Sequence, residues 1–196
     1  EMCIRDSIKS VWLNKLKIAR KEKKKPGLDY KIITSWNGLM ISGYVNAYKA
    51  INDEVFMNEA INAGEFIYSN LVKRDGGLFH NYVNGQSKIN GYLEDYAMVI
   101  QASLDLYEIT LNQLWIERAL KLSEYVINNF SSSESELFYF TSKKDEDLIS
   151  RSVEFRDNVI PSSNSIMAKN LFRLYHYFDK EEYYERSKNM SLSVTQ

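Results

Sequence analysis

The stretch TSWNGLMISGYVNAYKA, residues 34–50, decides the fold. It contains no proline and predicts a helix over 36–50, yet it opens on a large aromatic, an amide and a glycine. Leu39, Met40, Ile41, Tyr44, Val45 and Ala47 leave this helix almost no polar face. A helix that is apolar all round must be buried all round. The next predicted helix, over 54–72, is of a different kind. Phe56, Met57, Ala60, Ile61, Phe66, Ile67 and Leu71 make one apolar stripe, with Asn58, Glu59, Asn62 and Glu65 opposite. Such a helix covers a core on one side only.

The same pair recurs twice downstream. Helices are expected over 93–109 and 113–130, then over 163–178 and 181–193, and the turns INDE, TLNQ and DKEE join the partners. Short connections make antiparallel neighbours. With Tyr48, Tyr107 and Tyr175 in register, Phe56 aligns with Trp115 and Tyr183, and Leu122 with Met190. A period of about 60 residues suits helical hairpins separated by long loops. An all-apolar helix and a one-sided helix in each repeat are both satisfied by an inner ring of helices inside an outer ring. The expected fold is therefore all-α: helical hairpins of an (α/α)6 toroid, about half of the ring, with short β-hairpin-like loops between hairpins. One such loop is marked by Asn84-Gly85, a two-residue hairpin signal. An earlier helix, over 8–24, runs into the basic run RKEKKK at 20–25 and stops at Pro26-Gly27.

Composition narrows the function. The chain has 196 residues, 44% hydrophobic, with net charge −1. That balance gives no general attraction to nucleic acid or to an acidic membrane, and no apolar run reaches the roughly 20 residues of a transmembrane helix. Neither partner is expected. The single cysteine, Cys3, excludes an intrachain disulfide and a thiolate metal cluster. With no secretory signal in view, a cytoplasmic setting is the expectation. Residues 1–7, EMCIRDS, read as a non-native leader ahead of a partial toroid domain over 8–196. The chain carries no Walker loop, GxGxxG, GxSxG or HExxH, so neither a cofactor nor a metal is expected.

Both long links lead into the start of an inner helix, which gathers the inner N-termini on one face. Free N–H groups and a partial positive charge collect there. Asp95 is the best-placed carboxylate for acid/base work. Asp29, Glu94, Glu154 and Asp157 reach toward the same face from nearby segments, and His80 is the candidate proton shuttle. Trp36 offers a stacking platform for a sugar ring, with Asn37, Tyr96 and Asn164 as further substrate-binding groups. Gly38 would admit a neighbouring chain or a ligand. The same residue types also serve as helix caps and packing groups, and that alternative stands beside the functional one.

The motifs PGLDYKIITSWNGLMISG (26–43), GYLEDYAMVIQASLDLYEIT (91–110) and IPSSNSIMAKNLFRL (160–174) resemble the C-terminal region of the thioredoxin-domain-containing, spermatogenesis-associated protein family over about residues 8–180. The resemblance implies a six-hairpin-glycosidase-like toroid, shared with N-acylglucosamine 2-epimerases and unsaturated glucuronyl hydrolases. It also implies a thioredoxin-like domain elsewhere in the whole protein. The matching positions are Asp29 and Lys31, then Trp36, Asn37 and Gly38, then Asp95 and Tyr96, and lastly Pro161, Ser162, Asn164 and Ser165. Tyr30, Glu94 and Ser163 depart from the family pattern. Two functions follow: acid/base chemistry on a sugar or uronic acid, or a non-catalytic module that partners a redox domain.

Overall fold

A computed structural model describes residues 2–145 and 150–194, without the side chains of residues 2–7 and 194. Of the expected leader, Glu1 lies outside the described residues. The chain divides into two compact units, Glu1–Tyr30 and Lys31–Gln196. In the first, α1 (Met2–Lys21) ends on Arg20 and Lys21, cations that suit the negative end of a helix dipole. The basic run beyond it is exposed.

The second unit begins with β1 (Ile32–Ile33) and then forms three helical hairpins: α2 (Thr34–Ile51) with α3 (Glu54–Asn70), α4 (Leu93–Thr110) with α5 (Gln113–Phe130), and α6 (Ser163–Phe178) with α7 (Glu181–Val194). Between the first two hairpins lie β2 (Asn81–Val83) and β3 (Gln86–Ser87). The strands form an antiparallel sheet in the order β1-β2-β3. Asn84 and Gly85 make its tight turn, with φ of 50° and 80°, as a primed two-residue turn requires.

The internal repeat reappears atom by atom at the hairpin turns. Each inner helix stops on a left-handed residue, Asn52, Leu111 or Asp179, whose N–H donates to the carbonyl of Tyr48, Tyr107 or Tyr175. Each outer helix restarts alike, with Phe56, Trp115 and Tyr183 donating to the carbonyls of Asp53, Asn112 and Lys180. Asp53 and Asn112 also cap their helices through side-chain oxygens.

Helix α4 is the centre of the unit, packed against α2, α5 and α6. Its buried residues include Leu93, Met98, Val99, Ile100, Leu104 and Leu106, so most of the helix surface is buried apart from a narrow polar stripe. On helix α2, Leu39 and Met40 are exposed, as half a ring should leave an inner helix, because within this unit α2 has α3 and α4 as its helical neighbours. Gly38 is explained by α4. A Cβ there would sit 2.8 Å from the backbone carbon of Met98. The glycine lets two helix backbones meet, and the neighbour it admits is a chain.

A thin polar stripe on α4 is used to fasten its neighbours. Asp105 accepts from Ser42 on α2 at 2.6 Å and pairs with Arg173 on α6 at 2.8 Å. Arg173 also reaches Glu108 at 2.6 Å, and Glu108 pairs with Lys49 of α2.

Candidate functional site

The short sheet delivers His80 to the start of α2. Strand β1 pairs with β2 through Ile33 and Asn81; one step further the Thr34 N–H donates to the His80 carbonyl at 2.9 Å. The Thr34 hydroxyl donates to the Phe79 carbonyl at 2.6 Å. The chain then turns into α2 without a side-chain cap of its own.

The missing cap comes from α4. Asp95 is fully buried, 0% exposed. Its Oδ1 accepts the Ser35 N–H of α2 at 2.9 Å. Its Oδ2 accepts the Tyr92 N–H, at the start of α4 itself, and pairs with His80 Nδ1, both at 2.9 Å. One carboxylate thus caps two inner helices and holds an imidazole. Burial pushes the Asp95 carboxyl up, while the donors from His80, Tyr92 and Ser35 pull it back. His80 is raised, first by its hydrogen bond to Asp95 and then by the charges of Asp95 and Glu94, against some desolvation. With Nδ1 committed to Asp95, Nε2 is the ring atom available to a ligand. The ring is set by Tyr92, which meets it edge-on at 4.9 Å and stacks on Phe140 at 5.1 Å.

Glu94 stands beside this pair, half-buried. Its carboxyl is raised by burial first, then by the Asp95 and Glu154 charges, with His80 acting in the opposite sense. Ligand atoms of His80, Glu94 and Asp95 all lie within 4.8 Å of one another, close enough to share a cation. The three N–H donors on Asp95 make the arrangement a hydrogen-bonded dyad with a carboxyl neighbour.

The expected site residues divide. His80 and Asp95 come together; Ser35 bonds Asp95, and Trp36 follows it on the first turn of α2, 69% exposed. Asn37 donates to the Ile33 carbonyl at 2.8 Å. Tyr96 does not join them. It is buried, stacked on Tyr125 at 5.3 Å, and its hydroxyl accepts the Leu78 N–H at 2.8 Å. Asn164 is buried too, clasping Phe138 through both N–H and C=O and donating to the Glu154 carbonyl at 2.7 Å. Its amide is spent on the loop before α6, so ligand contact is not where the structure puts it. Asp29 is exposed in the other compact unit. In the sequence Glu94 ranks below Asp95, and Tyr92 stands with them only as one of the residues at the opening of the inner helix. A signal was present: Asp95 falls in register with Val99, Ala102 and Leu106 of the core, whereas Glu94 shares the polar face of Gln101, Asp105 and Glu108. Tyr92 had no such signal.

No family model matches the chain. It is 32% identical over 185 residues to human spermatogenesis-associated protein 20, covering 89% of this chain and 23% of the relative. The chain thus spans about a quarter of the length of the curated relatives it matches. Among solved structures it resembles cellobiose 2-epimerase from Bacillus thermoamylovorans, with TM-score 0.66 and 17% identity over 83% of this chain and 44% of that one. It also resembles an inactive double Asp-to-Asn variant of an α-1,6-mannanase from Salegentibacter in complex with mannotriose, with TM-score 0.67 and 17% identity over 84% of this chain and 47% of that one. No described helix is long and apolar enough to cross a membrane. In fold, the second unit is a run of three hairpins of an (α/α)6 toroid, and in sequence the chain is homologous to a segment of spermatogenesis-associated protein 20.

Proposed function

We propose that this segment carries a carbohydrate-active site that moves protons on a sugar ring docked over Trp36. The observation that supports it most is the His80–Asp95 dyad at 2.9 Å with a raised carboxyl, Glu94, beside it. In this reading Asp95 is a positioning residue, because it is sealed from any ligand. His80 Nε2 takes the proton from the carbon next to the carbonyl of an opened sugar. Glu94 gives a proton to the carbonyl oxygen; the enediol's carbon-2 hydroxyl then returns a proton to Glu94 while His80 Nε2 protonates carbon 1, which gives the 2-keto sugar. A histidine and a carboxyl raised toward neutrality are matched to such exchanges. The spacing argues against inverting hydrolysis by Glu94 and Asp95. Their ligand atoms lie within 4.8 Å, whereas inverting pairs stand about 6.5–9.5 Å apart to admit water. The cellobiose 2-epimerase named above has the same fold, in keeping with sugar isomerisation.

A second reading, glycoside hydrolysis, is favoured by one feature. The mannanase variant is inactive with two consecutive aspartates replaced, and Glu94 and Asp95 are likewise consecutive acids here. One experiment separates the two. The intact protein is incubated with aldoses and with reduced mannan oligosaccharides in heavy water and followed by NMR. Proton exchange at carbon 2, lost in H80Q and E94Q, is the expected result. Hydrolysis without exchange would select the second reading, and neither activity would remove both.

A further inference from the structure

We infer that Phe140 is a positioning residue for His80, acting through Tyr92, so that the long link before α6 holds the imidazole delivered by the link before α4. The bond from His80 Nδ1 to Asp95, at 2.9 Å, fixes one atom of the ring. A single hydrogen bond leaves the ring free to swing about it, and a proton carrier needs its plane fixed as well. Tyr92 supplies that second contact, 4.9 Å from the imidazole and inclined to it by 60°. Tyr92 is itself only half-buried, and Phe140 backs it, stacked at 5.1 Å and within 12° of parallel. The Phe140 backbone is tied down on both sides. Its N–H donates to the Ser152 carbonyl at 2.8 Å, and its carbonyl accepts from Leu93, the first residue of α4, at 2.9 Å.

The internal repeat builds this column of rings into the fold. The His80 carbonyl accepts from Thr34, the first residue of α2, just as the Phe140 carbonyl accepts from the first residue of α4. The His80 N–H donates to Ile89 as that of Phe140 donates to Ser152, and the residues before them, Phe79 and Tyr139, donate to Leu71 and Phe130. Phe140 is therefore the counterpart of His80 one hairpin along, and the Tyr92 ring contacts both. One link spends the position on an imidazole and the next on a ring that steadies it. Aromatic pairs prefer offset-stacked or edge-on geometries, so the column sets an orientation and does more than fill space. The inference deepens the sugar-ring reading above and rests on it for turnover alone.

The test uses the intact protein, by NMR and by the carbon-2 exchange assay. Cross-relaxation from the Tyr92 ring to the ring protons of both His80 and Phe140 is expected in the unsubstituted chain. F140L keeps apolar bulk and loses the stack. It should shift the His80 ring signals and lower kcat for exchange at least about tenfold, with KM little changed. F140Y keeps the stack and should restore both. A residue that only packs would lower stability without moving the His80 signals of the folded protein. Where F140L does not fold, the cross-relaxation and Y92L decide, since loss of the Tyr92 ring must move the same signals. Absent cross-relaxation between Tyr92 and His80, or His80 signals unmoved in the folded variant, overturns the inference and leaves the sugar-ring reading standing. No carbon-2 exchange in the unsubstituted protein overturns that reading, while the His80 signals still decide this inference.

Discussion

Asp95→Asn is the substitution whose effect follows most directly from the geometry. The carboxylate accepts three N–H donors at 2.9 Å inside a fully buried pocket. An amide of the same shape has one oxygen. If it faces Tyr92 and His80, the NH2 opposes the Ser35 N–H; if it faces Ser35, the NH2 opposes Tyr92. One buried donor is stranded either way, and the remaining bonds lose their charge assistance. A hydrogen bond to a charged group contributes about 1.5–3 kcal/mol, and a stranded buried donor costs about 1–3 kcal/mol. The expected destabilisation is about 2–4 kcal/mol, read as a lower urea midpoint at unchanged slope. The same variant should drop the His80 pKa toward its ordinary 6.5, since the Asp95 bond and charge are what raise it. The chain has two histidines, so ring proton signals in an NMR titration are assigned by comparison with H176Q. A stability change under about 0.5 kcal/mol, as for an ordinary surface substitution, together with an unmoved His80 titration would refute the dyad.

Other predictions follow from single contacts. His80 binds its proton more tightly folded than unfolded, so the stability it confers over H80Q is full below about pH 6.5 and fades as pH rises through its raised folded value; urea midpoints of the two proteins from about pH 6 to about pH 9 should converge. Gly38→Ala places a carbon 2.8 Å from the Met98 backbone and should cost about 2 kcal/mol or more, whereas Gly43→Ala, on the same helix with nothing within 4 Å, should stabilise by about 0.5–1 kcal/mol. Thermal melts of the pair check both signs. Tyr96→Phe strands the buried Leu78 N–H and should cost about 1–3 kcal/mol in a urea titration while leaving sugar affinity unchanged, which separates its core role from the ligand role first expected of it.

The helices were legible because each one is decided locally. Apolar periodicity set their faces, Asn52, Asp53, Asn112 and Asp179 marked the turns, and Asn84-Gly85 placed the hairpin. The aligned tyrosines proved to occupy one structural position, the carbonyl that closes each inner helix. The site was legible only as a region. Glu94 and Asp95 are adjacent in sequence, yet a step of one residue on a helix turns a side chain by about 100°, so Glu94 stays half-buried on the polar face and Asp95 meets the core. Half-buried Tyr92 stands at the cap of α4 and buried Tyr96 one turn inside it, so depth along the helix separates the two. What Asn164 bonds to was not legible, because its partners, Phe138 and the Glu154 carbonyl, come from a long loop whose path no periodicity records. The open face of α2 is the apolar flank that half a ring should leave on an inner helix: apolarity fixes what a helix needs, and its neighbours decide what it receives.

The central claim, a sugar docked on the first turn of α2 beside His80, is tested most directly by NMR titration of the intact protein with neutral sugars. Of the three tryptophans, Trp36 is exposed on the first turn of α2 and Trp115 is buried in the core. The account predicts saturable, concerted shifts of the Trp36 indole N–H and the His80 ring signals, with Trp115 unmoved. Sugar-induced shifts that spare both Trp36 and His80, or no shift with any sugar, would contradict it.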